Sequence, residues 1–185
     1  MTIGPVAGMN RGKLWAFLGF AVLNFLGLAL GGLATGPGVQ STWYAELPQA
    51  PWTPPGWVFG AAWTTVMLGF SAFMAGVWSG TAGGGMPGAS ARSAQSARSR
   101  WLTRFAVAWM LNVAWNPMFF AWHQVGAALL VLGALLAAVV RMAWSARQSD
   151  GTPWWWWGIV PYVLWLGVAS SLNGYSWLAG QVWLG

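Results

Sequence analysis

Side chains that could move protons or hold a metal are few: His123, Glu46 and Asp150 are the whole supply of histidine and carboxylate, and there is no cysteine. Acid–base catalysis and metal ligation draw on those residue types, so one copy of the chain can assemble neither a triad nor a metal centre. His123 reads as a solvated turn residue, with axial haem ligation as its chemical alternative. Asp150, just before Gly151, reads as turn chemistry. What the chain has in abundance are groups that stack and hydrogen-bond without titrating. It carries 18 tryptophans, and Asn24, Asn112, Asn116 and Asn173 interrupt otherwise apolar stretches.

The spacing of these groups is informative. Asn112, Trp115, Asn116 and Phe119 recur at three- and four-residue steps, which predicts one face of a helix, and Pro117 within it frees the carbonyl of Val113 and predicts a kink. Trp165 and Asn173 are eight residues apart and share a face of a second helix. Polar groups are costly in lipid, so each should face another helix or a cavity. An asparagine can be interhelical glue worth about 1 kcal/mol. Grouped with tryptophans, the asparagines predict a pocket that offers aromatic faces and a few orienting amides, which suits large apolar ligands with polar edges such as porphyrins and sterols.

The elements that must position these residues follow from hydropathy. With 57% hydrophobic and 5% charged residues, the chain cannot cover a water-facing surface, for which about 25% charged residues is usual. Apolar runs near 14–34, 57–79, 101–121, 125–145 and 154–179 each reach the roughly 20 residues needed to cross the hydrocarbon. The expected fold is an all-α membrane protein, a five-transmembrane-helix bundle. The first run follows two cations as a signal peptide would, but is longer than the apolar core of one. On this reading 1–13 is an inner N-terminal segment, 14–179 the membrane domain and 180–185 a tail.

The net charge of +6 has the distribution a bilayer imposes. Arg11 and Lys13 precede the first run, Arg92, Arg98, Arg100 and Arg104 lie between or at the edge of the second and third, and Arg141 and Arg147 close the fourth. Five spans put all eight cations on one side, which predicts the N-terminus inside and the C-terminus outside. Arg92, Arg98 and Arg100 of the inner connection lack interleaved aromatics, so no nucleic-acid partner is expected. The Gly/Ala/Ser-rich 80–100 stretch reads as a flexible inner loop. Tryptophans 154–157 read as an interfacial belt, and Gly27-x-x-x-Gly31 as a close-packing motif within the bundle, with a homodimer seam as the alternative.

The 35–56 segment, on the outer side, is different in kind. Its prolines restrict the backbone and lower the entropy lost on ordering, while Trp43, Tyr44 and Trp52 give it an apolar underside. It is expected to be a lid over the bundle, although Trp and Tyr also favour the headgroup region for its own sake. At about 1.5 Å per residue, Trp63, Asn116 and Asn173 fall roughly 9 Å below the outer ends of their helices, beneath that lid.

Three blocks of sequence resemble the tryptophan-rich sensory protein/translocator protein family: Pro51-Trp52-Thr53-Pro54-Pro55-Gly56-Trp57-Val58-Phe59, Leu111-Asn112-x-x-Trp115-Asn116-Pro117-x-Phe119-Phe120, and Pro161-Tyr162-x-x-Trp165 with Ala169-x-x-Leu172-Asn173. The resemblance runs in order over 14–179. It implies a five-helix membrane protein, often dimeric, that binds porphyrins such as protoporphyrin IX and, in some members, sterols or benzodiazepine-type ligands, in sensing or regulating tetrapyrrole and stress responses. Transport of such ligands is one alternative it implies, and light- and oxygen-dependent porphyrin degradation another, with Trp63 and Trp165 as the pair implicated. Carried over by motif, the pocket positions are Tyr44, Pro54, Trp63, Asn112, Trp115, Trp165 and Ala169, beside Asn116, Phe119 and Asn173 read from spacing. No obligatory cofactor is implied. The family's sterol pattern needs a basic residue after a tyrosine, and none follows Tyr175, which favours porphyrin over sterol. A bacterial membrane is the expected setting.

Overall fold

The computed structural model describes residues 11–82, 91–150 and 153–182. Residues 1–10 of the expected inner segment, the 83–90 part of the inner connection, Gly151 and the end of the tail from 183 lie outside the described residues. Six α-helices account for nearly all that is described: α1 (Arg11–Val39), α2 (Thr42–Glu46), α3 (Gly56–Ala82), α4 (Ala91–Phe120), α5 (Val125–Asp150) and α6 (Val160–Val182), with a 3-10 helix (Trp154–Ile159) leading into α6. There is no strand among the described residues. Among the described residues three helices are both long enough and apolar enough to cross a membrane: Arg11–Val39, Gly56–Thr81 and Val125–Gln148.

The five long helices form a closed circuit. α1 packs against α3 and α4, α5 lies between α4 and α6, and α6 returns to α3. Inside the ring, Phe70 stacks on Phe105 at 5.7 Å and meets the Tyr162 ring edge-on at 5.1 Å; Phe73, Leu132, Leu135, Ile159 and Leu166 are fully buried around them. The outward surface is also apolar: Leu33, Leu130, Val22 and Leu164 are each more than 60% exposed. A chain with apolar residues inside and out gains little from a hydrophobic effect between helices in lipid, so close packing and interhelical hydrogen bonds must hold the ring together.

Both devices are present. A Cβ on Gly27 would lie 2.6 Å from Trp109 Nε1, and one on Gly31 would strike the Asn116 side chain, so the Gly27-x-x-x-Gly31 stripe is consumed by α4 inside the bundle. That proximity lets Trp109 Nε1 donate to the Leu23 carbonyl at 2.8 Å. Gly69 and Gly158 bring two backbones into contact where any side chain would collide with a carbonyl. Asn24 Nδ2 donates to Ser71 Oγ at 2.9 Å, joining α1 to α3.

Several boundaries differ from the hydropathy reading. α1 continues past 34 through Pro37 to Val39, and α2 forms inside the expected lid. α4 begins at Ala91, so residues 91–100 of the expected flexible loop are helical. That stretch lacks an apolar face, but Ala, Arg and Gln are good helix formers, and extending an existing helix avoids the cost of nucleation. Arg98 also lies over the Trp78 ring at 5.0 Å. Asp150 is the last residue of α5 rather than part of a turn. Among tryptophans 154–157, Trp154 and Trp157 are exposed as a belt requires, but Trp155 is buried against Phe73 and Trp156 donates to the Ala143 carbonyl. A 3-10 turn places successive side chains about 120° apart, so four consecutive tryptophans cannot all face outward.

Candidate functional site

The lid is tied down at both ends. Ser41 caps α2, its Oγ accepting from Tyr44 N, and Leu47 N donates back to the Trp43 carbonyl. This short helix turns Trp43 onto the α4–α5 turn, where its ring stacks on His123 at 4.0 Å and meets Phe119 edge-on at 5.7 Å. His123 has φ 55, a left-handed conformation that histidine adopts more readily than most residues. It follows the end of α4, where the Ala121 and Trp122 N–H groups both donate to the Pro117 carbonyl. At the other end Trp52 Nε1 donates to Ser171 Oγ at 3.2 Å and its ring meets that of Tyr175 edge-on. Around this second anchor, Thr53 donates to the Ala50 carbonyl through both N–H and Oγ, closing the proline-rich turn.

Under this lid is a cavity with about 490 Å³ of empty space, counting its open mouth. Tyr44, Leu47, Gln49 and Thr53 roof it; Phe59 of α3, Trp115, Phe119 and Phe120 of α4, and Ala169, Leu172, Asn173 and Ser176 of α6 form its walls. Trp115 and Phe119 stack at 5.7 Å with 27° between their planes and form an aromatic wall. Asn173 fixes that wall: its Oδ1 accepts from Trp115 Nε1 at 3.2 Å while its Nδ2 donates to the Val125 carbonyl at 2.8 Å. Two polar side chains, Asn173 and Ser176, are thus buried at the edge of a lining that is otherwise largely apolar. Burial pushes the Tyr44 phenol above its ordinary range, so it stays neutral and roofs the cavity as an uncharged ring.

Five of the ten expected site residues line this cavity: Tyr44, Trp115, Phe119, Ala169 and Asn173. Trp165 lies one turn below Ala169, meets Phe59 edge-on at 5.4 Å and Trp63 at 6.3 Å, and holds a buried Nε1 with no acceptor. Trp63 also meets Tyr162 edge-on, and Asn112 Nδ2 donates to Tyr162 Oη at 2.7 Å, so these two belong to a deeper layer. Asn116 does not share the cavity face. Its Oδ1 accepts from Thr35 Oγ1 at 2.7 Å and its amide packs on Gly31, both on α1. Consecutive residues point about 100° apart on a helix, so Trp115 and Asn116 serve opposite neighbours and the single face expected for 112, 115, 116 and 119 is divided. Pro54 is in the lid turn but does not line the cavity; its neighbour Thr53 does.

Spacing missed Leu47, Gln49, Thr53, Phe59, Phe120, Leu172 and Ser176. Ser176 was discoverable, since it is one short turn from Asn173 on the same face. Gln49 and Thr53 were not, because only the path of an irregular loop decides which of its side chains point inward.

The chain as a whole has clear relatives. The TspO/MBR family matches residues 20–178. The translocator protein of Bos taurus is 32% identical over 170 residues, covering 89% of this chain and 90% of that protein. Protein CrtK of Rhodobacter capsulatus is 33% identical over 138 residues, 73% of this chain and 76% of that protein. The tryptophan-rich sensory protein of Cereibacter sphaeroides is 31% identical over 134 residues, 71% of this chain and 72% of that protein.

Proposed function

Because this chain belongs to the TspO/MBR family, we propose that it is a five-span membrane protein that binds a tetrapyrrole such as protoporphyrin IX beneath its outer lid, acting as a sensor or regulator. Beyond the three most apolar helices, α4 from about 101 and the 3-10 helix with α6 supply the remaining spans; Asn112, Tyr162, Asn173 and Ser176 lower their mean hydropathy while facing neighbours. The eight cations then lie on one side, with the N-terminus inside and the lid and C-terminus outside.

The observation that carries the ligand reading is the cavity itself: stacked Trp115 and Phe119 rings, the Phe59 ring and a buried amide, under a lid clipped to α6 and to the α4–α5 turn. Its enclosed part, about 60 Å³, is smaller than the roughly 300–1,000 Å³ of occupied ligand pockets, so the ligand must widen it. A macrocycle packs against this aromatic wall, and its carboxylate edge faces the mouth, where Gln49 and water receive it. The closed interior has room for only on the order of five waters. Ligand entry therefore requires the Trp52–Ser171 clip to open and Tyr44 to swing, which makes the lid the element a sensor would read out.

Titration with protoporphyrin IX is expected to quench tryptophan fluorescence saturably, and Trp115→Ala with Phe119→Ala to weaken binding about tenfold or more, as loss of two aromatic stacking partners implies. Unchanged affinity in that double variant would refute the assignment.

The Trp63–Trp165 pair favours a second reading, photo-oxidative degradation of the bound ring. At 6.3 Å between centroids the two indoles are close enough to exchange an electron, and Trp165 lies just below the cavity. Illumination of the aerobic complex should bleach the porphyrin in wild type and not in Trp63→Phe/Trp165→Phe; equal bleaching would remove this reading.

A further inference from the structure

At the opposite end of the bundle, α4 and α5 leave an open-sided groove with about 470 Å³ of empty space, lined by Thr103, Arg104, Val107, Ala138, Arg141 and Met142. Two features set it apart from the other clefts between helices. One is charge: Arg104 and Arg141 face the same groove, and Arg104 feels the like charges of both Arg141 and Arg100. The other is depth. Arg104 is one turn inside the apolar run that starts near 101, and Arg141 one turn inside the run that ends near 145, so both cations sit at or just below the hydrocarbon boundary.

Such charges call for an anion. The chain has only two carboxylates. Glu46 is in the lid at the other end, and Asp150 is nine residues beyond Arg141 on α5, about 13 Å along the helix. Among the described residues no carboxylate meets either arginine. Arg104 is instead parked over the Trp101 ring, 4.7 Å from its centroid, which holds its guanidinium at the groove mouth with N–H donors to spare.

We propose that this groove is a binding site for one anionic phospholipid of the inner leaflet, its phosphate held between Arg104 and Arg141 and one acyl chain lying along Val107, Ala138 and Met142. The match is two-part. Guanidinium forks suit a phosphate oxygen pair, and the lining immediately deeper in the membrane is apolar where a tail must lie. A soluble phosphate would satisfy the arginines but leave the groove unfilled, which is why the lipid is the occupant. The site rests on the membrane orientation proposed above and is independent of the tetrapyrrole cavity, from which it is separated by about two turns of α4 between Val107 and Trp115.

The test is retention of lipid by the intact, detergent-purified protein in native mass spectrometry, with palmitoyl-oleoyl phosphatidylglycerol and the matching phosphatidylcholine offered together. Wild type is expected to retain one phosphatidylglycerol with roughly thirtyfold preference, as two basic contacts near a membrane surface imply. Arg104→Gln/Arg141→Gln should abolish the preference, whereas Arg92→Gln/Arg98→Gln, which removes as much charge elsewhere on α4, should keep it. Val107→Trp leaves both arginines and fills the groove, and should also lose retention. Preference surviving in the 104/141 variant, equal loss in the 92/98 variant, unchanged retention in Val107→Trp, or displacement of the lipid by glycerol 3-phosphate would each overturn the proposal. Protoporphyrin titration of the same samples keeps the two readings separable, because the 104/141 variant is expected to bind porphyrin as wild type does.

Discussion

Asn173 is the most informative single perturbation, because one amide joins three helices at the cavity wall. It is 3% exposed, and Asn173→Leu preserves its bulk while removing both hydrogen bonds. The two losses are unequal. The Val125 carbonyl, in the first turn of α5, also accepts within its own helix, so it loses only a second partner. Trp115 Nε1 loses its acceptor outright, and a buried donor left unpaired costs about 1–3 kcal/mol. Interhelical hydrogen bonds in membrane proteins average nearer 0.6 kcal/mol, with a maximum of about 1.7, so the expected destabilisation is about 1–2 kcal/mol. The assay is equilibrium unfolding in mixed micelles, run as a double-mutant cycle with Trp115→Phe, which removes the donor and keeps an aromatic ring. If the Trp115–Asn173 bond is the source of the cost, Asn173→Leu should be about 1 kcal/mol milder in the Trp115→Phe background. Strict additivity of the two substitutions would refute the reasoning, and would mean that Asn173 acts through α5 alone.

Three further outcomes follow from particular contacts. Ala169→Phe projects a ring into the cavity from a position 8% exposed and should weaken protoporphyrin IX binding at least tenfold while leaving the far-ultraviolet circular dichroism unchanged. Gly69→Ala drives a Cβ into the Gly158 carbonyl and should destabilise by about 1–3 kcal/mol, as overpacking does; Gly133→Ala, where a Cβ meets nothing within 4 Å, should be neutral or slightly stabilising in a thermal melt, as helix propensity predicts. Tyr44 stabilises the lid as a neutral phenol. Because burial raises its folded pKa above the ordinary value near 10, that stabilisation is complete below pH 10 and is lost as pH rises through the folded pKa. Porphyrin affinity measured across pH 9–11 should fall in wild type and stay flatter in Tyr44→Phe.

The relation between sequence and site is clearest at α4. The apolar run and Pro117 were legible, as were Trp115 and Phe119 on one side, but Asn116 was grouped with them and instead binds Thr35 on α1. Three- and four-residue spacing locates residues to within about 100° of arc on a helix, and a helix with neighbours on both sides divides that arc between them. The inner end of α4 illustrates the opposite error. Residues 91–100 have the composition of a linker, and their helix is propagated from the adjoining span rather than specified by their own pattern. Tryptophans 154–157 were read as one belt because composition carries no direction; the 3-10 turn gave them three different surroundings.

Composition, hydropathy and motif order were enough for the helical class, the lid, the family and five of the twelve cavity-lining residues, because apolar length and local spacing are properties of a segment alone. They also imply that one chain cannot assemble an acid–base triad or a metal cluster, since His123, Glu46 and Asp150 are its whole supply of histidine and carboxylate. Tertiary structure decided the rest. It closed the helices into a ring through glycine contacts, separated Asn112 and Trp63 from the cavity above them, brought Gln49 and Thr53 of an irregular loop over its mouth, and placed Arg104 beside Arg141 across a groove. Each of these depends on which faces meet, and the meeting of two faces is a property of both, written in neither segment alone.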